Sequence, residues 1–331
     1  MKLKTIALAV LAGSLSSGVA NACTSVAWNT DLGTFTSRTM DWMETSTPVL
    51  GSINKGELRS IQGNGLGETY PVKYDVVGVL GYGEVLIDGM NSEGMQANAL
   101  FYPGMTMKKA KNGSEITQFT FAEYLLTNYA SVDEVVKALP DLDYASILLK
   151  GMPIEIKLHW SVTDKSGDRL VIEMDEDGMK TYRGEEAMVM TNDPSMKEQI
   201  ELRNKVDSKW ENATRDTNYG SIGNGNSPSR FIHGSYFLSK LSEPTSITNA
   251  MMKISTVPFR VPADAPYKDF GNGQGVSSYA TEWTITNSLE TGDSVFEYNF
   301  EDNWNTVKFN AYQMMGKKFR IPLNKSYMVQ F

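Results

Sequence analysis

The chain is poor in the residues that usually hold metals and disulfides. Cys23 is its single cysteine, and His159 and His233 are its two histidines, in 331 residues. One cysteine excludes an intramolecular disulfide and a multi-cysteine metal site. Two histidines exclude a histidine-rich metal centre. No metal and no cofactor are therefore expected. Basic residues are outnumbered, 31 Lys and Arg against 39 Asp and Glu, for a net charge of −8. An acidic chain of this kind lacks the electrostatic footprint of a nucleic-acid or anionic-membrane binder. Beyond the first residues no apolar run approaches the length of a membrane span, so no membrane insertion is expected of the remainder. A G-x-G-x-x-G run leading into a helix is missing too. The glycine-containing stretch 43–74 is therefore read as loops and short strands, not as a phosphate cradle.

What is present begins at the N-terminus. Lys2 and Lys4 precede an apolar run from Ile6 to Leu15, and a small-residue exit, Ala20-Asn21-Ala22, leads to Cys23. Charged start, short apolar core and small-residue exit make residues 1–22 a secretory signal peptide, with residues 23–331 as a single exported domain, periplasmic or secreted. Cleavage after Ala22 would leave Cys23 with a thiol and a new α-amino group on one residue. An unperturbed thiol has a pKa of about 8.5 and an α-amino group about 7.7–8.0. The amine can thus act as general base for its own side chain, and no distant histidine is needed. Three plainer readings compete. Cys23 is a lipid-attachment site, although Ala20 and Asn21 fit a lipobox poorly; it is a buried, inert thiol; or it awaits an intermolecular disulfide.

The remaining chain alternates between strand and helix patterns. Thr24, Val26 and Trp28 alternate, a turn cluster follows at 29–33, and a second strand runs from Phe35 to Met40. Such a hairpin returns Arg38 and Asp41 to the side of Cys23. Strands are expected at 76–80, 85–87 and 95–101, then two helices over 121–129 and 131–139, the second with a Ser131/Glu134 capping box and Pro140 as its stop. A meander over 158–164, 169–175, 179–183 and 187–192 comes next. A polar loop spans 203–228, helical spacing covers 231–241 and 247–254, and a proline-rich loop covers 258–275. Strands at 279–286, 294–300 and 306–310 close the chain. This order fits an α+β, four-layer αββα sandwich of two stacked, mainly antiparallel sheets with helices outside.

Taken together, the processed Cys23, SRTMDW (37–42), DGMNSEG (88–94), LHWSVTD (158–164), VMTNDP (189–194), SPSRF (227–231) and the closing YATEWT and EYNFEDN blocks resemble one family. The chain is similar over nearly all of residues 23–331 to the choloylglycine hydrolase and penicillin V acylase family of N-terminal-nucleophile hydrolases. The resemblance implies the sandwich fold, a homotetramer and a small-molecule acyl amide as substrate. It implies Cys23 as nucleophile, Arg38 as a cation near the sulfur, and Asp41 as the carboxylate that holds the α-amino group. Asn192 would be the oxyanion-hole side chain and Arg230, read as standing just before a helix, a further active-site arginine. On the residues alone Arg38 reads as an ordinary surface arginine at a strand end, Arg230 as a structural salt-bridge partner, and Asn192 and Asp41 as turn residues.

One position departs from the family's pattern. Phe101 falls where bile salt hydrolases carry asparagine and many penicillin V acylases tyrosine. Its backbone N–H would be the second oxyanion donor, and a one-residue slip would give that place to Tyr102. With Trp42 as a candidate pocket wall, an apolar Phe101 favours an aromatic or alkyl acyl group. Penicillin V and long-chain N-acyl homoserine lactones are thus expected ahead of conjugated bile acids. The alternative within the family is a bile salt hydrolase. The alternative outside it is a non-catalytic secreted or lipid-anchored binding protein.

Overall fold

The structure is a computed structural model that describes residues 23–42, 44–148, 155–214, 219–220, 225–261, 279–301 and 303–325. The signal peptide expected over residues 1–22 lies outside the described residues, as does most of the proline-rich stretch 258–275.

β1 (Thr24–Thr30) and β2 (Gly33–Asp41) form the predicted hairpin, in register from Thr24↔Thr39 to Thr30↔Gly33. Gly33 closes the turn at φ +111, a conformation that favours glycine. β3 (Val49–Ile53), a small pair β4 (Leu58–Ser60) and β5 (Thr69–Pro71), β6 (Val76–Gly81), β7 (Val85–Asn91) and β8 (Met95–Phe101) follow. The β7–β8 turn is built by Asn91, whose Oδ1 accepts the N–H groups of Glu93 (3.0 Å) and Met95 (2.9 Å). Next come β9 (Ile116–Thr117), α1 (Phe121–Asn128), α2 (Val132–Ala138) and β10 (Tyr144–Ala145). Ser131 caps α2 by accepting the Glu134 N–H. The Glu134 carboxylate reaches back to the Ala130 N–H (2.8 Å), one residue beyond the expected box.

β11 (Leu158–Asp164), β12 (Arg169–Asp175) and β13 (Gly178–Arg183) form the meander. The strand expected over 187–192 is reduced to β14 (Val189–Met190) and joins the other sheet, against β1. α3 (Met196–Asn204) was not foreseen, because only Met196 and Ile200 supply its apolar spacing. α4 (Ser227–Ser239) starts four residues earlier than the apolar pattern suggests. Asn226 caps it by accepting the Ser229 N–H (2.8 Å), and Pro228 occupies the first turn. Arg230 therefore lies inside the helix, not before it. α5 (Ile247–Ser255), β15 (Thr281–Ser288), β16 (Asp293–Phe300), β17 (Asn303–Asn310), α6 (Ala311–Met314) and β18 (Arg320–Pro322) complete the chain.

Among the described residues two large sheets form. One has the order β14-β1-β2-β15-β16-β17, the other β13-β12-β11-β8-β7-β6-β3-β18, and their ladders are antiparallel. α1 and α2 cover the second sheet, and α4 and α5 cover the first. The expected αββα sandwich is what the chain adopts. Apolar residues fill the space between the sheets and under α5, while a separate apolar core, with Trp160, Leu125 and Phe121, lies under α1 and α2.

Candidate active site

The β1–β2 hairpin places Cys23 against the end of β2. The Asp41 N–H lies 3.4 Å from Cys23 Sγ, and Sγ lies 3.4 Å from the Asp41 carbonyl oxygen. The thiol is buried. Burial pushes its pKa up, and the Asp41 charge adds to that, while Arg38 and Arg230 pull it down. The direction expected of Arg38 is present, but desolvation outweighs it.

Arg38 points from β2 into the space between the sheets. Its Nη1 donates to the carbonyls of Ile87 (3.2 Å) and Ala99 (3.3 Å), and its guanidinium lies 4.7 Å from the Trp283 ring centroid. Arg230 arrives from the helix layer. It donates to the Cys23 carbonyl, to Thr24 Oγ1 (2.9 Å) and to Asn192 Oδ1 (2.9 Å). Burial lowers its pKa to about 10, with the Asp41 charge opposing that fall. Asp41 accepts from Thr39 Oγ1 at 3.0 Å through one oxygen, and among the described residues its other oxygen, Oδ1, has no hydrogen-bond partner. Burial raises the Asp41 pKa to about 7, with the Thr281 hydroxyl and Arg230 pulling the other way. A buried carboxylate with one oxygen to spare is suited to an ammonium group.

Asn192 follows β14. Because Arg230 occupies its oxygen, its NH2 group is turned toward β8, where one hydrogen goes to the Phe101 carbonyl at 2.8 Å. The second amide hydrogen is not needed for that bond. Phe101 and Leu158 are paired across β8–β11, and the flanking bond runs from the Tyr102 N–H to the Lys157 carbonyl (2.9 Å). Phe101 is thus at a non-hydrogen-bonded position of that ladder, with N–H and C=O both directed away from β11. Tyr102 differs in each respect: its N–H is spent, its ring stacks on His159 at 4.9 Å, and its hydroxyl donates to Asp175 (3.0 Å). Of the two candidate positions, only Phe101 offers its N–H toward Asn192.

Trp42 is buried and packs on Phe101 (centroids 5.1 Å apart) and Tyr279 (6.4 Å). Both Trp42 and Phe101 line an apolar pocket with Cys23 in its wall and a cavity volume of about 70 Å3. That is room for a few waters.

The sequence reading missed most of this pocket. Met40, Ile87, Ala99, Phe119 and Trp160 come from separate elements and carry no shared motif. It also missed a buried polar layer beneath Cys23, in which Asn98 Nδ2 and Arg169 Nη2 both donate to Ser25 Oγ (3.0 and 2.9 Å). α3 did leave a signal, the Ser195/Glu198 pair: Ser195 Oγ accepts the Glu198 N–H. Among the described residues no group of three or more His, Cys, Asp or Glu has the arrangement of a metal site.

Residues 23–321 match the linear amide C–N hydrolases, choloylglycine hydrolase family. A penicillin V acylase from Pectobacterium atrosepticum is 28% identical over 269 residues, covering 73% of this chain. The chain spans 66% of that relative's length, just under two thirds. A bile salt hydrolase/transferase from Bifidobacterium longum is 28% identical over 250 residues, 65% of this chain and 73% of the relative. In fold, the chain resembles the penicillin V acylase from Agrobacterium tumefaciens, with TM-score 0.71, 21% identity and 89% of each chain covered. A variant of the conjugated bile acid hydrolase from Clostridium perfringens gives TM-score 0.68 at 20% identity, covering 87% of this chain and 92% of that one. The chain belongs to the choloylglycine hydrolase family of linear amide C–N hydrolases.

Proposed function

We propose that the protein is an exported amidase of the penicillin V acylase type, acting through Cys23 as an N-terminal nucleophile. The observation that carries this reading is the convergence of Asp41, Arg230, Asn192 and Phe101 on one buried cysteine at the wall of an apolar pocket. Cleavage after Ala22 frees the α-amino group, which Asp41 holds. That amine takes the thiol proton as sulfur attacks the amide carbonyl. The spare Asn192 N–H and the Phe101 N–H donate to the developing oxyanion. Collapse of the intermediate breaks the C–N bond, and the ammonium returns its proton to the leaving nitrogen. The amine then deprotonates a water, which attacks the thioester and releases the acid and the thiol. Arg230 orients Asn192 and the Cys23 carbonyl, and Arg38 offsets part of the burial cost of the thiolate.

Trp42, Phe101 and the small cavity support a phenoxyacetyl or alkyl acyl group, so penicillin V and long-chain N-acyl homoserine lactones are the proposed substrates. We also take the active form to be an exported homotetramer, periplasmic or secreted. The test compares kcat/KM on penicillin V, a long-chain acyl homoserine lactone and glycocholate. One of the first two should lead, and Cys23→Ser should abolish turnover because an alcohol is the poorer nucleophile beside a weak base. Glycocholate as the best substrate would overturn the pocket argument in favour of a bile salt hydrolase. Near-normal turnover by Cys23→Ser would overturn the mechanism.

A further inference from the structure

β7 and β8 are paired only from Met90↔Gln96 to Asp88↔Asn98. Beyond that point each strand continues with its other neighbour, β7 along β6 to Val85 and β8 along β11 to Phe101. The two strands therefore part and leave a notch in the middle of the sheet. Ile87 and Ala99 are the first residues past the last pair, so neither carbonyl has the other residue's N–H as a ladder partner. Arg38 bonds both and closes the apex of the notch with one guanidinium.

Residues of this notch line the cavity. Cys23, Met40 and Ile87 belong to the core that includes the space between the sheets, whereas Leu86, Ala122 and Trp160 belong to the core under α1. All six line one continuous pocket. A space bounded by both cores reaches from one face of the sheet to the other, and Ile87 and Ala99, where the ladder is open, stand in its lining. Two small side chains, Ala99 on β8 and Ala122 on α1, are part of that lining. Gln118, a polar group in the lining, is already spent: its amide bonds the backbone of Ile147 (2.8 and 3.0 Å).

The geometry points to a trans-sheet acyl channel: the tail of the acyl group bound at Cys23 passes between β7 and β8 and ends under α1. This rests on the amidase reading and adds the shape of its substrate. A gap between two strands admits an unbranched polymethylene chain and excludes a fused-ring or strongly branched acyl group. The far side, walled by Trp160, makes the channel a length gauge.

The test uses the mature enzyme and two chromogenic amides, N-decanoyl- and N-butanoyl-p-nitroaniline. Ala122→Leu and, independently, Ala99→Leu place a larger side chain in the lining. Either should lower the decanoyl-to-butanoyl ratio of kcat/KM by about tenfold or more, the scale at which a pocket discriminates methylene groups. A general folding defect lowers both rates together and leaves the ratio in place. A ratio unmoved in both variants, with both amides still cleaved, overturns the channel and leaves the amidase standing. Failure of the wild-type enzyme to cleave either amide overturns the channel together with the amidase reading.

Discussion

Charge at Cys23 is a contest between burial and two arginines. Burial and Asp41 raise the thiol pKa, and Arg38 and Arg230 oppose them. Removing Arg38 should let burial win by more, so Arg38→Ala should move the midpoint of Cys23 alkylation by iodoacetamide to higher pH. An unchanged alkylation profile would return Arg38 to a structural role at the β7–β8 notch. Asp88 makes a separate case. It is buried, accepts from Gln96 Nε2 at 2.8 Å, and burial raises its pKa to about 7 from an ordinary 3.8. A carboxyl whose folded pKa is raised favours the folded state fully below its unfolded pKa. That contribution is lost as pH climbs through the folded value. Wild-type protein should therefore lose stability relative to Asp88→Asn between about pH 4 and pH 7, as read by urea unfolding. A constant difference across that window would show that Asp88 ionises in the folded state as it does in the unfolded chain. Single residues of this kind were unevenly legible. Cys23 stood out because it is the single cysteine and follows an expected processing site. Neither Asp88, which opens the DGMNSEG block, nor Arg169 was given a role, because nothing in a strand's alternation reveals that its polar face meets another sheet rather than water.

At the level of elements, strands were read more surely than helix starts, where only the Ser131 cap was named. The hairpin of β1 and β2 follows from alternation and a turn ending in Gly33. α4 was placed too late, because its first turn, Ser227 to Arg230, is polar, and the apolar spacing begins only at Phe231. Tertiary context fills that polar turn: Ser227 donates to Thr191 Oγ1 (2.9 Å) and Arg230 bonds across to Cys23 and Asn192. The cap that starts the helix is accordingly part of what aims Arg230. Asn226→Ala should cost about 1 kcal/mol of stability in urea unfolding, with Asn226→Asp recovering most of it. No loss in Asn226→Ala would mean that packing against β1 and β14 alone fixes the start of α4. α3 was invisible to periodicity for a related reason. Its buried face includes Gln199, which bonds Thr191 Oγ1 (2.5 Å) and the Pro194 carbonyl (2.8 Å), so hydrogen bonds as well as apolar contacts hold it down.

The whole molecule brings one cysteine, drawn from the start of the first sheet, to a gap in the second. Order of elements was enough to read the four-layer sandwich, since apolar strands that bury both faces require a sheet on one side and helices on the other. The pocket was not legible in the same way. Its walls come from both sheets and α1, and the splay of β7 from β8 that opens it is a property of register, not of any local pattern. The account stands on Cys23 being both the first residue and the point of acyl attachment. Intact-mass analysis of the protein expressed from the full sequence, quenched in acid during turnover of penicillin V, tests both at once. The predicted mass is that of a chain beginning at Cys23 and carrying one phenoxyacetyl group. A chain that retains residues 1–22, or one whose sulfur carries diacylglycerol, would contradict the account.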